Sequence, residues 1–477
     1  MELIWKDFSF KPLPRAAGQS VLPASRREAF ERALESCPNT HIRGYMLLCG
    51  GKVIAERFWT PYAPQDKVWV YSLSKSFAST AVGLAVAEGL LSVEDRVIDF
   101  FPEKAPANPC AHLRDMRVRH LLSMNTGHAA EPLPGPAELF SSDWVEYVLH
   151  YPLKYAPGSH FLYNSAATFV LSAIVQKVSG SCLVDFLHPR LFVPLGFDET
   201  LWASNPQGIN MGAVGLMTRL EDIAKLGQLY LNQGVYNGKR ILPEEWVRAA
   251  TSVQSDTCRP GEPTDWSQGY GYQFWRCRHG AYRGDGAYGQ YCVVMPQHDM
   301  VLVLLSETSE MQGPLEEVWR YLLPGGPAAE TEREIQGKAY CLKTDESSPL
   351  GVTSLRFDFE KEALRLTLAD AESSTVLLCG RGGWAEGEAD PRTGGGQLWC
   401  LSSFPLFSLQ GRAVKTAARF VWQNEKTLRV SWAYRETPHR ADVEFVFGDK
   451  GLTLRRLPGI LDKKPAEAVF VAAADKC

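Results

Sequence analysis

Several things are scarce in this sequence, and each shortage excludes something. No apolar run approaches the roughly 18 residues that a membrane span needs; Met300–Leu305 is among the longest. No charge of one sign dominates. The 50 Lys and Arg against 54 Asp and Glu leave a formal net charge of -4, which offers nothing to draw nucleic acid or an anionic membrane surface as a partner. The eleven cysteines, scattered from Cys37 to Cys477, contain no CxxC pair. Cys277 and Cys292 flank a Gly-rich stretch without zinc-ligand spacing. An odd number of scattered thiols is expected to be reduced, mostly buried and cytoplasmic. The opening MELIWKDFSFKPLPR lacks a basic segment followed by an apolar one, so no export signal is expected. No solenoid-type repeat is visible.

What is present is an ordinary globular composition, 45% hydrophobic and 22% charged over 477 residues. A single core stops growing at roughly 250–300 residues, so more than one domain is expected. The break falls at Pro324-Gly325-Gly326-Pro327, followed by the charged, linker-like Ala328–Ile335. This puts a first domain at 1–327 and a β-rich second domain, of no assignable role, at 335–477. In the first, His41–Leu48 and Val53–Trp59 read as a hairpin. Tyr71–Leu91, Ala166–Val178, Leu220–Gln233 and Met311–Leu322 read as helices, and Tyr291–Pro296 and Met300–Leu305 as strands. The fold class is α+β: the first and last strands share one antiparallel sheet, with a helix-rich insert beside it and a cleft between. In the second domain, Ser354–Phe359, Ala363–Leu368, Thr375–Cys379, Phe420–Gln423, Leu428–Ala433, Val443–Phe447 and Leu452–Arg456 read as short strands of an all-β module. Its tryptophans, Trp384, Trp399, Trp422 and Trp432, are expected in its core rather than on a binding surface. The module is expected to shape or cover the cleft.

Three segments carry chemistry. Ser72-Leu73-Ser74-Lys75 opens a helix, and residues i and i+3 share a helix face. Ser72 Oγ and Lys75 Nζ can therefore meet locally. A serine hydroxyl needs its proton removed to become a nucleophile, and a desolvated lysine can do that. The helix N-terminus suits a developing oxyanion. The ordinary alternative is a capping serine beside a solvated lysine. The second segment is Pro157–Ser165, which presents Tyr163 just before an apolar helix. Beside Lys75 its phenolate would be favoured, making it a general base; otherwise it packs beside Phe161. The third is Arg283-Gly284-Asp285-Gly286-Ala287-Tyr288-Gly289-Gln290, leading into a strand. Its glycines permit a close backbone approach, and an N–H of this edge could complete an oxyanion hole. The alternative is a plain turn between strands.

These three motifs, in this order, resemble the serine β-lactamase and penicillin-binding-protein superfamily, in its class C β-lactamase-like branch. The resemblance spans about residues 20–325. It extends to Val70–Glu88 with the following Gly89–Asp95, to Arg119–Gly127, to Gly208–Leu216 with Thr218–Gly227, and to Tyr291–Glu307. It implies that Ser72 is acylated, that Lys75 is the family lysine, and that Tyr163 is the tyrosine of the family's Y-x-N. The third position of that motif is Ser165 here, with Asn164 in the middle, and a hydroxyl offers less than a carboxamide. The family's K-T-G or H-x-G is missing. Ungapped counting puts Ala281-Tyr282-Arg283 there; a short gap puts Gly284-Asp285-Gly286, the better fit because it keeps a glycine at the oxyanion position. Arg283 could replace the missing charge but not its geometry, and His279 is a poorer stand-in.

The expectation is a serine hydrolase acting on a small ester, amide or peptide-like substrate through a Ser72 acyl-enzyme, esterase-, amidase- or D-aminopeptidase-like. Backbone N–H groups of Ser72 and of Gly284, Asp285, Gly286 or Ala287 would hold the oxyanion, and no metal or organic cofactor is called for. The alternatives are a β-lactamase or DD-peptidase, which the missing K-T-G disfavours, and a non-catalytic penicillin-recognition-fold binding module.

Overall fold

The computed structural model describes residues 9–16, 22, 24–134, 142–258, 264–323, 329–343, 348, 350–360, 363–370, 374–389, 414–423, 426–435, 440–448, 451–457 and 466–472. Two compact units divide the chain. One comprises residues 1–21 and 34–315, the other 22–33 and 316–477. Residues 22–33 and 316–327, which the sequence reading grouped with the first domain, thus fall in the second unit.

The first unit is built on a six-stranded antiparallel sheet. Its strands are β1 (Thr40–Cys49), β2 (Lys52–Phe58), β3 (Trp275–Arg276), β4 (Tyr282–Gly286), β5 (Gln290–Met295) and β6 (Met300–Thr308), in the spatial order β2-β1-β6-β5-β4-β3. The N-terminal hairpin therefore pairs with the last strand, Thr40 facing Thr308 and Cys49 facing Met300. β5 is buried at every position, and β6 at all but Glu307. Runs such as Val301-Leu302-Val303-Leu304-Leu305 are what strands covered on both faces require.

Between β2 and β3 lies the helical part. Helix α1 (Ser74–Ala87) is preceded by one 3-10 turn, Tyr71–Leu73. Its residues Ser74–Ala85 are all buried, so it runs through the interior rather than over a surface. Small residues on it (Ala78, Ala81, Ala85) and on α2 (Ser165–Ser179; Ala166, Ala167, Ala173) let the two helices pack closely. Helix α3 (Leu220–Leu231) lies against β5 and β6. A small sheet of Lys67–Trp69, Leu216–Arg219 and Leu201–Trp202 sits just before the Ser72 turn. No single described helix is long and apolar enough to cross a membrane.

Among its described residues the second unit holds ten strands: β7 (Ala339–Leu342), β8 (Ser354–Phe359), β9 (Ala363–Ala369), β10 (Ser374–Arg381), β11 (Ala385–Ala389), β12 (Val414–Trp422), β13 (Thr427–Tyr434), β14 (Arg440–Gly448), β15 (Gly451–Arg456) and β16 (Ala466–Ala472). Their order is β10-β9-β8-β7-β16-β15-β14-β13-β12-β11, and β10 also pairs in parallel with β12, which closes the sheet into a barrel. Closure removes the free edges of an open sheet. Trp422 and Trp432 are in the barrel core as expected, Trp384 is exposed, and Trp399 lies outside the described residues.

The segment Ala328–Ile335 departs from its linker reading, for Ala329–Ile335 is a helix. Its Glu332 is buried and accepts bonds from Arg381 (2.5 and 2.8 Å) and from Trp422 Nε1 (2.6 Å). A charged pattern that looks solvated in one dimension is here a pinned ion pair. Removing one partner of such a pair leaves an uncompensated buried charge. Glu332→Ala is expected to destabilise the barrel by about 3–5 kcal/mol, read as a lower denaturation midpoint by tryptophan fluorescence.

Candidate active site

Ser72 lies in the 3-10 turn that leads into α1, and Lys75 one turn later is almost wholly buried, at 1% exposure. The lysine ammonium reaches Ser72 Oγ at 3.0 Å, the Ala213 carbonyl at 3.2 Å and Ser165 Oγ at 3.4 Å. It also stands 4.8 Å above the Tyr163 ring. Burial therefore disfavours its charged form most strongly. The carboxylates of Glu131 and Asp285 pull the other way, and its pKa settles at about 7.

Tyr163 is held in an aromatic frame. Trp275 stacks on it at 5.5 Å and Tyr270 meets it edge-on at 6.1 Å. Burial, then the nearby Asp285 carboxylate, raises its pKa above the ordinary tyrosine value; a hydrogen bond with Ser72 opposes this only in part. The expectation that Lys75 would favour a phenolate thus meets a stronger opposing effect. At neutral pH Tyr163 is a hydroxyl.

Asn164 and Ser165 have separate tasks. Asn164 caps α2, its side-chain carbonyl accepting from Ala167 N at 3.2 Å. Ser165, in the third motif position, is the one that faces Lys75. The Ser165 N–H donates to Glu131 Oε1 at 2.5 Å. Nothing local in Ala-Ala-Glu-Pro marked Glu131, because its place depends on tertiary folding.

The third motif is a strand. β4 pairs with β5 on one side, and on the other with β3 only as far as Arg283. Gly284–Gly286 continue past that pairing and run against the Ser72 turn. A Cβ at Gly286 would lie 2.1 Å from the Val70 carbonyl oxygen, and one at Gly284 2.6 Å from Ser76 Oγ. Only glycine allows this approach. His279 sits in the turn before β4, seven positions ahead of Gly286 and beyond the opposite end of the strand. Ala281 and Tyr282 are buried at that distant end.

Arg283 is fully buried and committed. Its guanidinium bonds Asp285 (3.0 Å) and the Asp265 carbonyl (2.8 Å), and lies over Trp266 at 4.4 Å. Burial raises the Asp285 pKa, with Arg283 and then Lys75 opposing. Arg283 therefore supports the site from behind. It does not offer a free cation at the place where the family's lysine would stand.

Among known proteins, the beta-lactamase family model matches residues 32–325. The 6-aminohexanoate-dimer hydrolase of Paenarthrobacter ureafaciens is 27% identical over 303 residues, covering 59% of this chain and 76% of that protein. Two solved structures share the fold. A Bacillus anthracis protein provisionally described as a 6-aminohexanoate-dimer hydrolase has a TM-score of 0.53 at 22% identity, covering 65% of this chain and 87% of its own. EstCE1, described as a hydrolase with promiscuous acyltransferase activity, has a TM-score of 0.51 at 18% identity, covering 62% and 98%. The chain belongs to the beta-lactamase family. It is a serine hydrolase of the ester- or amide-cleaving type, in agreement with the sequence expectation.

The close approach at Gly286 makes a direct prediction. Gly286→Ala forces the strand edge away from the Ser72 turn. Modification of Ser72 by a fluorophosphonate is expected to slow on the order of a hundredfold, with far-UV circular dichroism unchanged.

Proposed function

We propose that this protein hydrolyses an ester or amide through an acyl-enzyme on Ser72, with neutral Lys75 as the base. The observation that carries this is the 3.0 Å contact between Ser72 Oγ and a lysine whose burial brings its pKa to about 7. Near neutral pH a large share of Lys75 is unprotonated and can accept the Ser72 proton. Ser72 Oγ then bonds to the substrate carbonyl carbon, and the carbonyl electrons move onto oxygen. N–H groups of Ser72 and of the 284–287 edge receive that oxyanion. When it collapses, the bond to the leaving oxygen or nitrogen breaks, and the proton held on Lys75 passes to the leaving group. Tyr163, as a hydroxyl hydrogen-bonded to Ser72, suits relaying that proton. Water repeats the sequence on the acyl-enzyme and regenerates Ser72.

Two features favour an esterase or amidase over a β-lactamase or DD-peptidase. The only cation of the third motif, Arg283, is buried and paired, and Glu131 and Asp285 act electrostatically on Lys75 and Tyr163. Such a site has little to hold a substrate carboxylate. The nine described cysteines are all free, which supports a reducing, cytoplasmic setting.

Intact-mass spectrometry after fluorophosphonate treatment tests the nucleophile. A single adduct is expected on the wild type and none on Ser72→Ala; an unmodified wild type, folded, would favour the binding-module alternative. The acid limb of kcat/KM is expected near pH 7, activity rising with pH because the deprotonated lysine is the active form. Lys75→Arg is expected to lose roughly three orders of magnitude in kcat/KM, since a guanidinium stays charged.

A further inference from the structure

Next to the Ser72 turn lies an exposed row of aromatic side chains that the proposed chemistry does not use. Tyr71 immediately precedes Ser72 and is 37% exposed. Tyr288, two residues beyond Gly286, is 51% exposed and meets Tyr71 edge-to-face at 5.1 Å. Trp69, 48% exposed, continues the row with its ring 6.3 Å from that of Tyr71. Across the small sheet Trp69 is in register with Met217, and Met217 with the exposed Leu201. Cross-strand neighbours in register share a face. An apolar strip therefore runs from the nucleophile's turn across three strands.

Two members of this row are in a backbone conformation their side chains disfavour. Tyr71 has φ 48° and Tyr288 φ 66°, in the left-handed region that bulky residues rarely adopt. At Tyr288 the surroundings enforce it, for its carbonyl accepts bonds from Thr308 N (3.2 Å), Gln290 Nε2 (3.1 Å) and Ser306 Oγ (3.2 Å). A glycine would relieve both the strain and the exposed ring. Strain held by a surrounding network, beside a reactive centre, points to a functional reason for the side chain.

We propose that Trp69, Tyr71 and Tyr288 form an aryl-binding subsite, so that the substrate is a hydrophobic ester or amide carrying an aromatic ring near its scissile carbonyl. This rests on the Ser72 reading for which bond is cut, but not for what is bound. Tyr71 and Tyr288, meeting edge-to-face at 72°, leave faces and edges that an incoming ring can engage in the geometries aromatic pairs prefer. Trp69, Met217 and Leu201 extend the contact for the rest of the apolar arm. The ring can belong to the acyl part or to the leaving group; the recognition chemistry is the same.

The test uses Ser72→Ala, which cannot turn substrate over. Binding is measured by calorimetry for two pairs of esters matched in carbon count. Ethyl phenylpropanoate against ethyl nonanoate places the ring on the acyl side, and phenethyl acetate against octyl acetate on the leaving side. The aryl member of one pair is expected to bind roughly 3- to 10-fold more tightly. Adding Tyr288→Gly, which keeps the left-handed backbone without strain, is expected to bring that ratio close to one, and adding Trp69→Ala to lower it. Equal binding within both pairs, or a preference that survives Tyr288→Gly, overturns the subsite. Fluorophosphonate labelling of the wild type reads the chemistry separately. Labelling without aryl preference leaves the hydrolase standing and removes the subsite; aryl preference without labelling does the reverse.

Discussion

The site depends on one unfavourable act, the removal of the Lys75 ammonium from water. An isolated charge in a protein interior costs several kcal/mol unless it is compensated, and here the direct partners are two hydroxyls and one carbonyl. The nearest carboxylates, Glu131 and Asp285, act on it through space. That arrangement is too weak to hold the ammonium fully charged and too polar to expel it. The result is a lysine poised near neutrality, which is what proton transfer at neutral pH asks for. The burial comes from α1 itself, a helix covered on all sides, whose small residues bring α2 and therefore Ser165 and Tyr163 up against it.

The same low-polarity setting explains how the third motif can change. A strand of β-lactam-processing type presents a cation toward the cleft. In this chain the only cation of the third motif is Arg283, which is bonded to Asp285 and lies over Trp266. What remains facing the Ser72 turn is Gly284 to Gly286, a bare backbone edge. Backbone N–H groups serve any carbonyl oxygen, whereas a lysine serves substrates with a carboxylate. The proposed oxyanion role of this edge needs no charged side chain, which fits a substrate without a carboxylate.

Much of this was legible in the sequence, for identifiable reasons. Ser72 and Lys75 are three residues apart on one helix, so their contact is a local property. Hairpin and strand limits followed from turn residues and apolar runs, and the pairing of the first strand with the last from their order. Where tertiary contacts decide, the reading thinned. Tyr163 was expected to ionise beside Lys75, but burial and Asp285 outweigh that attraction. Glu131 and the Ala213 carbonyl carry no local signature. Three barrel strands, Ala339–Leu342, Ala385–Ala389 and Ala466–Ala472, escaped because alanine-containing segments have weak strand propensity, and barrel closure supplies the pairing that propensity does not.

Four of the nine described non-glycine residues with a left-handed backbone lie around this site. Besides Tyr71 and Tyr288, Met124 (φ 59°) and Gln273 (φ 65°) are left-handed without being glycine. Met124 Sδ accepts the N–H of Asn164, which caps the helix carrying Ser165. The Gln273 carbonyl accepts from Ser76 on α1, its side-chain oxygen from Thr168 on α2, and its side-chain amide donates to the Leu121 and Leu122 carbonyls. One strained residue thus ties α1 to α2 from behind, another fixes the start of α2, and two flank the nucleophile and the glycine strand. A fold does not hold four such residues around one point unless the surrounding contacts over-determine them. Each of these costs of order 1 kcal/mol or more, and the dense packing of α1, α2 and the sheet offsets it. The same contacts place Ser72, Lys75 and the 284–286 edge side by side with no bound molecule, the preorganisation that the proposed acyl transfer calls for.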